Sequence, residues 1–308
     1  MLGLTTVVKQ KNDTPGDNPL SSGDSVIRGD MGKIDNYKNI SKYLKKNRFS
    51  FLEQIDVLQE EDEYPQGLLF VDKLVFISSY SGVRGELGKI RIFDRYTGEC
   101  VLSLGMDENS HLGGLAFDGT SIWVCNSSKM SIERISYAFV LQMIRENRGK
   151  LIDIRNLVEG HRVNNIPSTV TYYDGQLWVA THSVWTNATM VGYCYEEGEN
   201  RLVSQNSFWV PPKVQGVAFT DKGEVYLSTS YGRKSTSYIK KYDSLYAMSK
   251  NVRDYKEKIK LPPCSEGIFY ENRRLYILFE SAGKKYLEGT DGNGKSVAPI
   301  DKILMMEE

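Results

Sequence analysis

The chain has 308 residues, with 39 Lys+Arg against 39 Asp+Glu, 40% hydrophobic and 11% aromatic residues. A chain of this size buries roughly three quarters of its unfolded surface, which is enough for one large domain or two ordinary ones. The balanced charge removes the global electrostatic case for nucleic acid or an acidic membrane surface as partner, and no apolar run approaches the roughly 20 residues of a bilayer span.

Residues 1–50 are rich in Gly, Pro, Asp, Asn and Ser and have almost no apolar periodicity. They read as a flexible polar arm. The opening MLGLTTVV is too short for the apolar core of a signal peptide. Arg28-Gly29-Asp30 and the sequons at Asn39, Asn126 and Asn187 are short patterns that recur by chance in polar loops. FLEQIDVL (51–58) follows, a strand-like run with no hairpin of its own.

A repeat organises the rest. Five segments align, starting at Gln66, Gly113, Ser168, Gln215 and Glu266. Each has a small residue, a short apolar run, a polar turn and a second apolar run ending in hydroxyls, the signature of a β-hairpin. The second strands begin at Leu74, Ile122, Leu177, Val225 and Leu275, so successive units are 48, 55, 48 and 50 residues apart. Units of about fifty residues with strand patterning indicate propeller blades. Two β-sandwich domains, the alternative, would have no common repeat length. Third strands follow at 88–94, 131–137, 190–196 and 237–243, and outer strands at 99–105, 202–210 and 256–262. Blade two takes KLIDIRN (150–156) as its outer strand, after a short helix near YAFVLQMIREN.

Only PIDKILM (299–305) follows the last hairpin, which leaves blade five one strand short with an open edge. Phe51–Leu58 fits as the missing strand, although its apolar stripe is not a clean period of two, which leaves a helix open. The fold expected is therefore all-β, a five-bladed propeller over residues 51–308, closed in its last blade by an N-terminal strand, with residues 1–45 contributing little to the core.

In a propeller, the starts of the innermost strands and the turns after the second strands share one face of the central channel. They supply Gln66, Ser168, Gln215 and Glu266 from the strand starts, His111 from a strand entry, and Tyr80, Arg84, His182, Trp185, Tyr231, Arg233 and Glu280 from the turns. Aromatic faces offer stacking and cation–π contact, while amides and carboxylates fix orientation. Each of these residues also has a plain structural role open to it, in hydrating the channel and satisfying strand ends. Glu266 is the only acid among the strand starts and thus the candidate general base there. The four cysteines, Cys100, Cys125, Cys194 and Cys264, are widely spaced, and only His111, His161 and His182 provide imidazoles. Core thiols, no metal site and no cofactor are expected.

The segment YPQGLLFVDKLVFISSYSG, followed by GKIRIFDRYTGECVLSL, resembles the first blade of the five-bladed glutaminyl cyclases of plant and bacterial type. That resemblance implies cyclisation of an N-terminal glutamine to pyroglutamate, with Gln66 as the blade-one glutamine. Blade two departs from the family pattern: Gly113-Gly114 stands where the family has Glu-Gly, and Cys125-Asn126-Ser127 replaces a tryptophan-bearing strand end. The hairpins of blades four and five are similar to uncharacterised bacterial secreted propeller proteins, which implies an extracytoplasmic setting if an upstream leader was removed. Two functions are expected on these grounds. The first is a monomeric binding module for a small polar ligand, peptide or glycan over the channel; the second is a channel-mouth enzyme of the cyclase kind.

Overall fold

The structure is a computed structural model that describes residues 26–28, 40–44 and 48–308. Two strands, β1 (Val26–Arg28) and β2 (Phe49–Leu52), precede the first hairpin. Blade one contains β3 (Glu63–Val71), β4 (Leu74–Ser81), β5 (Lys89–Asp94) and β6 (Cys100–Gly105), antiparallel in that order. Next come β7 (Leu115–Phe117), β8 (Ser121–Asn126), β9 (Ser131–Ser136), helix α1 (Tyr137–Asn147), β10 (Leu151–Asp153) and β11 (Glu159–Arg162). Blade three is β12 (Thr169–Tyr173), β13 (Gln176–Ala180), β14 (Ala188–Glu196) and β15 (Arg201–Val210). Blade four is β16 (Val214–Phe219), β17 (Val225–Thr229), β18 (Ser237–Tyr242), helix α2 (Leu245–Lys250) and β19 (Glu257–Leu261). Blade five has β20 (Ser265–Glu271), β21 (Arg274–Phe279), helix α3 (Lys284–Glu288) and β22 (Ile303–Glu307). The innermost strands β3, β7, β12, β16 and β20 contact one another in sequence, and β20 returns to β3. The ring is a five-bladed propeller.

Alternation along each strand feeds the two neighbouring inter-blade cores. On β8, Ile122 and Val124 join the cluster shared with blade one, while Trp123 and Cys125 join the cluster shared with blade three. Both faces are covered, so the strand is buried along its length. The cores thus lie between blades, leaving the strand ends and their turns to make the channel mouth.

The ring closes as expected, at shifted positions. β2 pairs antiparallel with β22, Phe49 opposite Met306 and Leu52 opposite Ile303, and β1 adds outside β2 with Val26 opposite Leu52. The chain turns at Glu53–Gln54 rather than continuing as strand to Leu58. Ile55 and Val57 instead pack with Leu68, Phe70, Tyr276 and Ile303 in the core between blades five and one. The expectation that residues 1–45 contribute little to the core fails at two positions. Ile40 and Leu44 are buried against Tyr226, Leu261, Phe279 and Ile300. Residues 1–25, 29–39 and 45–47 of the polar arm, with Gly29-Asp30 of the tripeptide and the sequon at Asn39, lie outside the described residues.

Blade two also differs. Leu151–Asp153, expected as its outer strand, pairs in parallel with β6 of blade one, Leu151 opposite Ser103. Helix α1 packs on both β6 and β9 and returns the chain over blade one. The outer strand of blade two is β11, with His161 opposite Ile132. No helix among the described residues is long and apolar enough to cross a membrane.

Candidate functional site at the channel mouth

Three innermost strands share a Gln-Gly or Glu-Gly step, and in all three the ladder slips there. The register shifts between Pro65 and Gly67, between Val214 and Gly216, and between Ser265 and Ile268. A bulge bends its strand and re-aims the side chain. Here it turns Gln66, Gln215 and Glu266 into the channel. The glycine that follows lets the innermost backbones touch. A Cβ on Gly216 would lie 2.7 Å from the Glu266 carbonyl oxygen, and one on Gly267 would lie 2.6 Å from that of Gln66. Lys213 and Cys264, each three residues before such a glycine, adopt left-handed backbone with φ of 71° and 66°, a conformation disfavoured for non-glycine residues.

Two carboxyls meet in this setting. Glu266 is 3% exposed, and its Oε1 accepts from Gln215 Nε2 at 3.1 Å. Glu280 follows β21, tied down where its own N–H donates to the Cys264 carbonyl at 3.2 Å. Its Oε2 accepts from Gln66 Nε2 at 3.0 Å. The two carboxyls lie within hydrogen-bonding reach of each other. Burial, followed by the charge on Glu280, holds Glu266 well above the usual carboxylate range, and burial also raises Glu280. Two like charges this close in a buried site cannot both ionise cheaply, so the pair retains a proton where isolated carboxylates have lost theirs.

A tyrosine cage borders the pair. The Lys285 ammonium lies 4.1 Å from the Tyr64 ring centre, 4.7 Å from that of Tyr80 and 5.0 Å from that of Tyr286, and it donates to the Tyr80 hydroxyl. Burial lowers the Lys285 pKa, while burial and then Glu280 raise those of Tyr80 and Tyr286. His111 stacks on Tyr80 at 4.5 Å and is kept neutral to lower pH by burial and by Lys285. The Arg233 guanidinium sits 4.3 Å over Tyr286 and is pinned by Asp291 and by the carbonyls of Lys285 and Gly294.

The mouth holds two adjoining hollows of about 470 and 400 Å³. His182, Gln215, Glu280 and Tyr286 line both. Gln66, Tyr80, His111 and Ser168 line only the second, and Tyr231, Arg233 and Glu266 only the first. Ten of the twelve residues expected at the site therefore converge. Arg84 is exposed in a turn outside both hollows. Trp185 also lines neither and is 83% exposed, beside Tyr231 at 6.2 Å between ring centres. Sequence reasoning passed over Lys285 and Tyr286. Both sit on α3, an insertion after β21 with no counterpart in the repeat; the signal available was KKY directly after a mouth turn.

No protein-family model matches this chain, and no curated protein is similar to it at a significant level. Solved structures are. Glutaminyl cyclase of Myxococcus xanthus is 13% identical with a TM-score of 0.46, over 80% of this chain and 93% of that one. Hydrazine synthase of Kuenenia stuttgartiensis is 12% identical with a TM-score of 0.41, over 71% and 56%. A chain of a nidogen/laminin complex is 15% identical with a TM-score of 0.43, over 71% and 73%. Likeness at this level says nothing about chemistry. The blades are established by their own strand pairing.

The carboxyl pair has a measurable signature. A carboxyl whose folded pKa is raised binds its proton more tightly folded than unfolded, so it costs stability as pH climbs from the unfolded value near 4.5 through the folded one. The melting temperature should fall across that window. Glu266→Gln keeps the shape and one hydrogen bond while removing one ionisation, so its curve should be flatter and cross above the parent's near neutrality. Melting curves between pH 4.5 and 8 check this; parallel curves would mean that the pair does not share a proton.

Proposed function

We propose that this propeller holds a small polar ligand, the end of a peptide or glycan, in the joined hollows at the channel mouth. The observation that supports this most directly is the Glu266–Glu280 pair, braced from both sides by Gln66 and Gln215 inside a cavity of ligand size. Here Gln215 and Glu280 line open volume, and the adjoining Tyr286 ring offers an apolar face. A thermal-shift screen of short peptides and oligosaccharides tests the reading, because a ligand of the folded state raises the melting temperature. Binding should weaken at least tenfold in Glu280→Ala. A ligand whose affinity survives both Glu280→Ala and Gln66→Ala would place binding elsewhere.

One observation favours a catalytic version of the same site. Two adjacent carboxyls sharing a proton provide an acid and a base in one cavity. In cyclisation of an N-terminal glutamine, the α-amine attacks the side-chain amide carbon and ammonia leaves. One carboxyl would accept the amine's proton while the other protonates the departing nitrogen. Incubating a glutaminyl peptide with the protein and assaying released ammonia decides between the versions, with Glu266→Gln as control. Release abolished in the variant supports catalysis; no release from the parent leaves binding alone.

A further inference from the structure

Blade four carries its lysines in two sets with opposite treatment. Successive residues of β18 point to opposite faces, so Lys240 and Lys241 part company. Lys241 is paired with Glu224 at 2.9 Å and with Glu308. Lys256 is paired with Glu224 at 2.9 Å and Asp243 at 3.1 Å. The face that Lys240 occupies receives no such neutralisation. Lys240 stands directly opposite Lys258 on β19, and Lys213, from the left-handed turn into β16, adds a third positive charge acting on the same group. Among the described residues, no carboxylate forms an ion pair with Lys213, Lys240 or Lys258. Like charges directly opposite one another destabilise a strand pair. The ion pairs of Lys241 and Lys256 show that acids can be placed on this blade to relieve such charges.

The surroundings suit an incoming oxyanion. Lys240 shares its face with Tyr242, which packs with Met190 and Val210 of blade three, so the cluster lies in the gap between blades three and four. The Lys258 ammonium rests 4.0 Å from the Tyr238 ring centre and 5.5 Å from that of Tyr255, and Lys213 lies 5.1 Å from that of Tyr231. Ring faces hold ammonium groups in place while leaving their N–H donors open to an acceptor. Neither channel-mouth hollow is lined by any of the three lysines, and the cluster meets the first hollow only through the Tyr231 ring under Lys213. We propose that Lys213, Lys240 and Lys258 form a site for the phosphate or sulfate group of an anionic ligand, seated between blades three and four. Burial and the two neighbouring lysines already press the Lys240 pKa down to about 8; a bound dianion would reverse that pressure.

The test compares the intact protein with Lys240→Met at pH 7 in sodium phosphate, sodium sulfate and sodium chloride of matched ionic strength. Phosphate and sulfate stabilise folded proteins generally by exclusion, so the readout is the difference between the two proteins. Without added anion, Lys240→Met should melt at least as high as the parent, since a like-charge contact is gone. With phosphate or sulfate, the parent should gain several degrees more than the variant, and the nuclear magnetic resonance titration midpoint of the Lys240 ammonium should rise by about one unit. A larger gain with phosphate assigns a phosphorylated ligand and a larger gain with sulfate a sulfated one; either sustains the site. Equal gains in parent and variant, or an unmoved midpoint, overturn it. Should Lys240→Met fail to fold, Lys258→Met at an exposed position carries the same comparison.

Discussion

A chain lacking residues 1–52 should have no cooperative melting transition. The deletion removes β1 and β2, and with them the pairing of Phe49–Leu52 to Ile303–Met306. It also removes the buried side chains Ile40, Leu44, Phe51 and Leu52. Burying each such side chain is worth about 1.5–3 kcal/mol, and a whole domain is stable by only about 5–15 kcal/mol. Four of them approach the entire margin before the opened edge of β22 is considered. A second chain lacking residues 1–45 separates the contributions. It retains the closing strand but loses β1, Ile40 and Leu44, and should melt clearly lower than the parent while remaining folded. Circular dichroism melts of the two chains and the intact protein measure this. If the chain without residues 1–52 melts like the intact one, closure through β2 contributes little and the account of blade five is wrong.

Glu63→Ala should cost about 3 kcal/mol or more, the largest effect expected of any single charged residue here. Glu63 opens β3 and is 3% exposed. It accepts from Arg91 Nε at 3.1 and 3.2 Å and from the guanidinium Nη2 at 2.9 Å. The same guanidinium donates to Ser103 at 3.0 Å and to the rim residue Glu60 at 2.5 Å. Removing one partner of a buried pair strands the other charge away from water, at about 3–5 kcal/mol. Glu60, half in solvent, relieves only part of that cost. In a protein of this size such a loss lowers the melting temperature on the order of 10 °C. Replacing both partners, Glu63→Leu with Arg91→Met, should recover most of it, because no orphan charge remains. A single variant that melts within 2 °C of the parent would show that Glu60 and solvent suffice for Arg91.

How much of this was legible beforehand depends on which residues carry the information. The hairpins were readable because each innermost strand faces two apolar neighbours and therefore repeats the same short apolar run. The closing strand was readable in existence but not extent. FLEQIDVL is apolar beyond its turn because Ile55 and Val57 cap an inter-blade core, not because the strand continues. Blade two misled for a related reason. EGHR has a single inward residue, His161, held between the rings of Trp123 and Tyr195, so β11 has no apolar alternation to detect. LID, which does look like a strand, was recruited by the neighbouring blade. At the site, Gln66, Gln215 and Glu266 stood out through the glycine after each. Glu280 was visible only as a turn residue. Its pairing with Glu266 depends on the slip in register between Ser265 and Ile268 within that hairpin, and the repeated apolar pattern does not encode the slip.

The split origin of blade five has a consequence for the order in which the protein is made. Phe49–Leu52 leaves the ribosome early, and its partner Ile303–Glu307 follows roughly 250 residues later, a delay on the order of tens of seconds at ordinary rates of synthesis. Throughout that interval the segment FSFL has only the three residues of β1 to pair with, and its other edge stays open, the kind of edge that recruits other nascent chains. The flanking residues bear on this. Lys45, Lys46 and Arg48 precede the segment, and Glu53 and Asp56 follow it. Charges on both sides act as gatekeepers against intermolecular stacking. Neutralising Lys45, Lys46 and Arg48 together would therefore be felt first as a lower yield of soluble protein from the cell, before any change appeared in the melting of the molecules that did complete their ring.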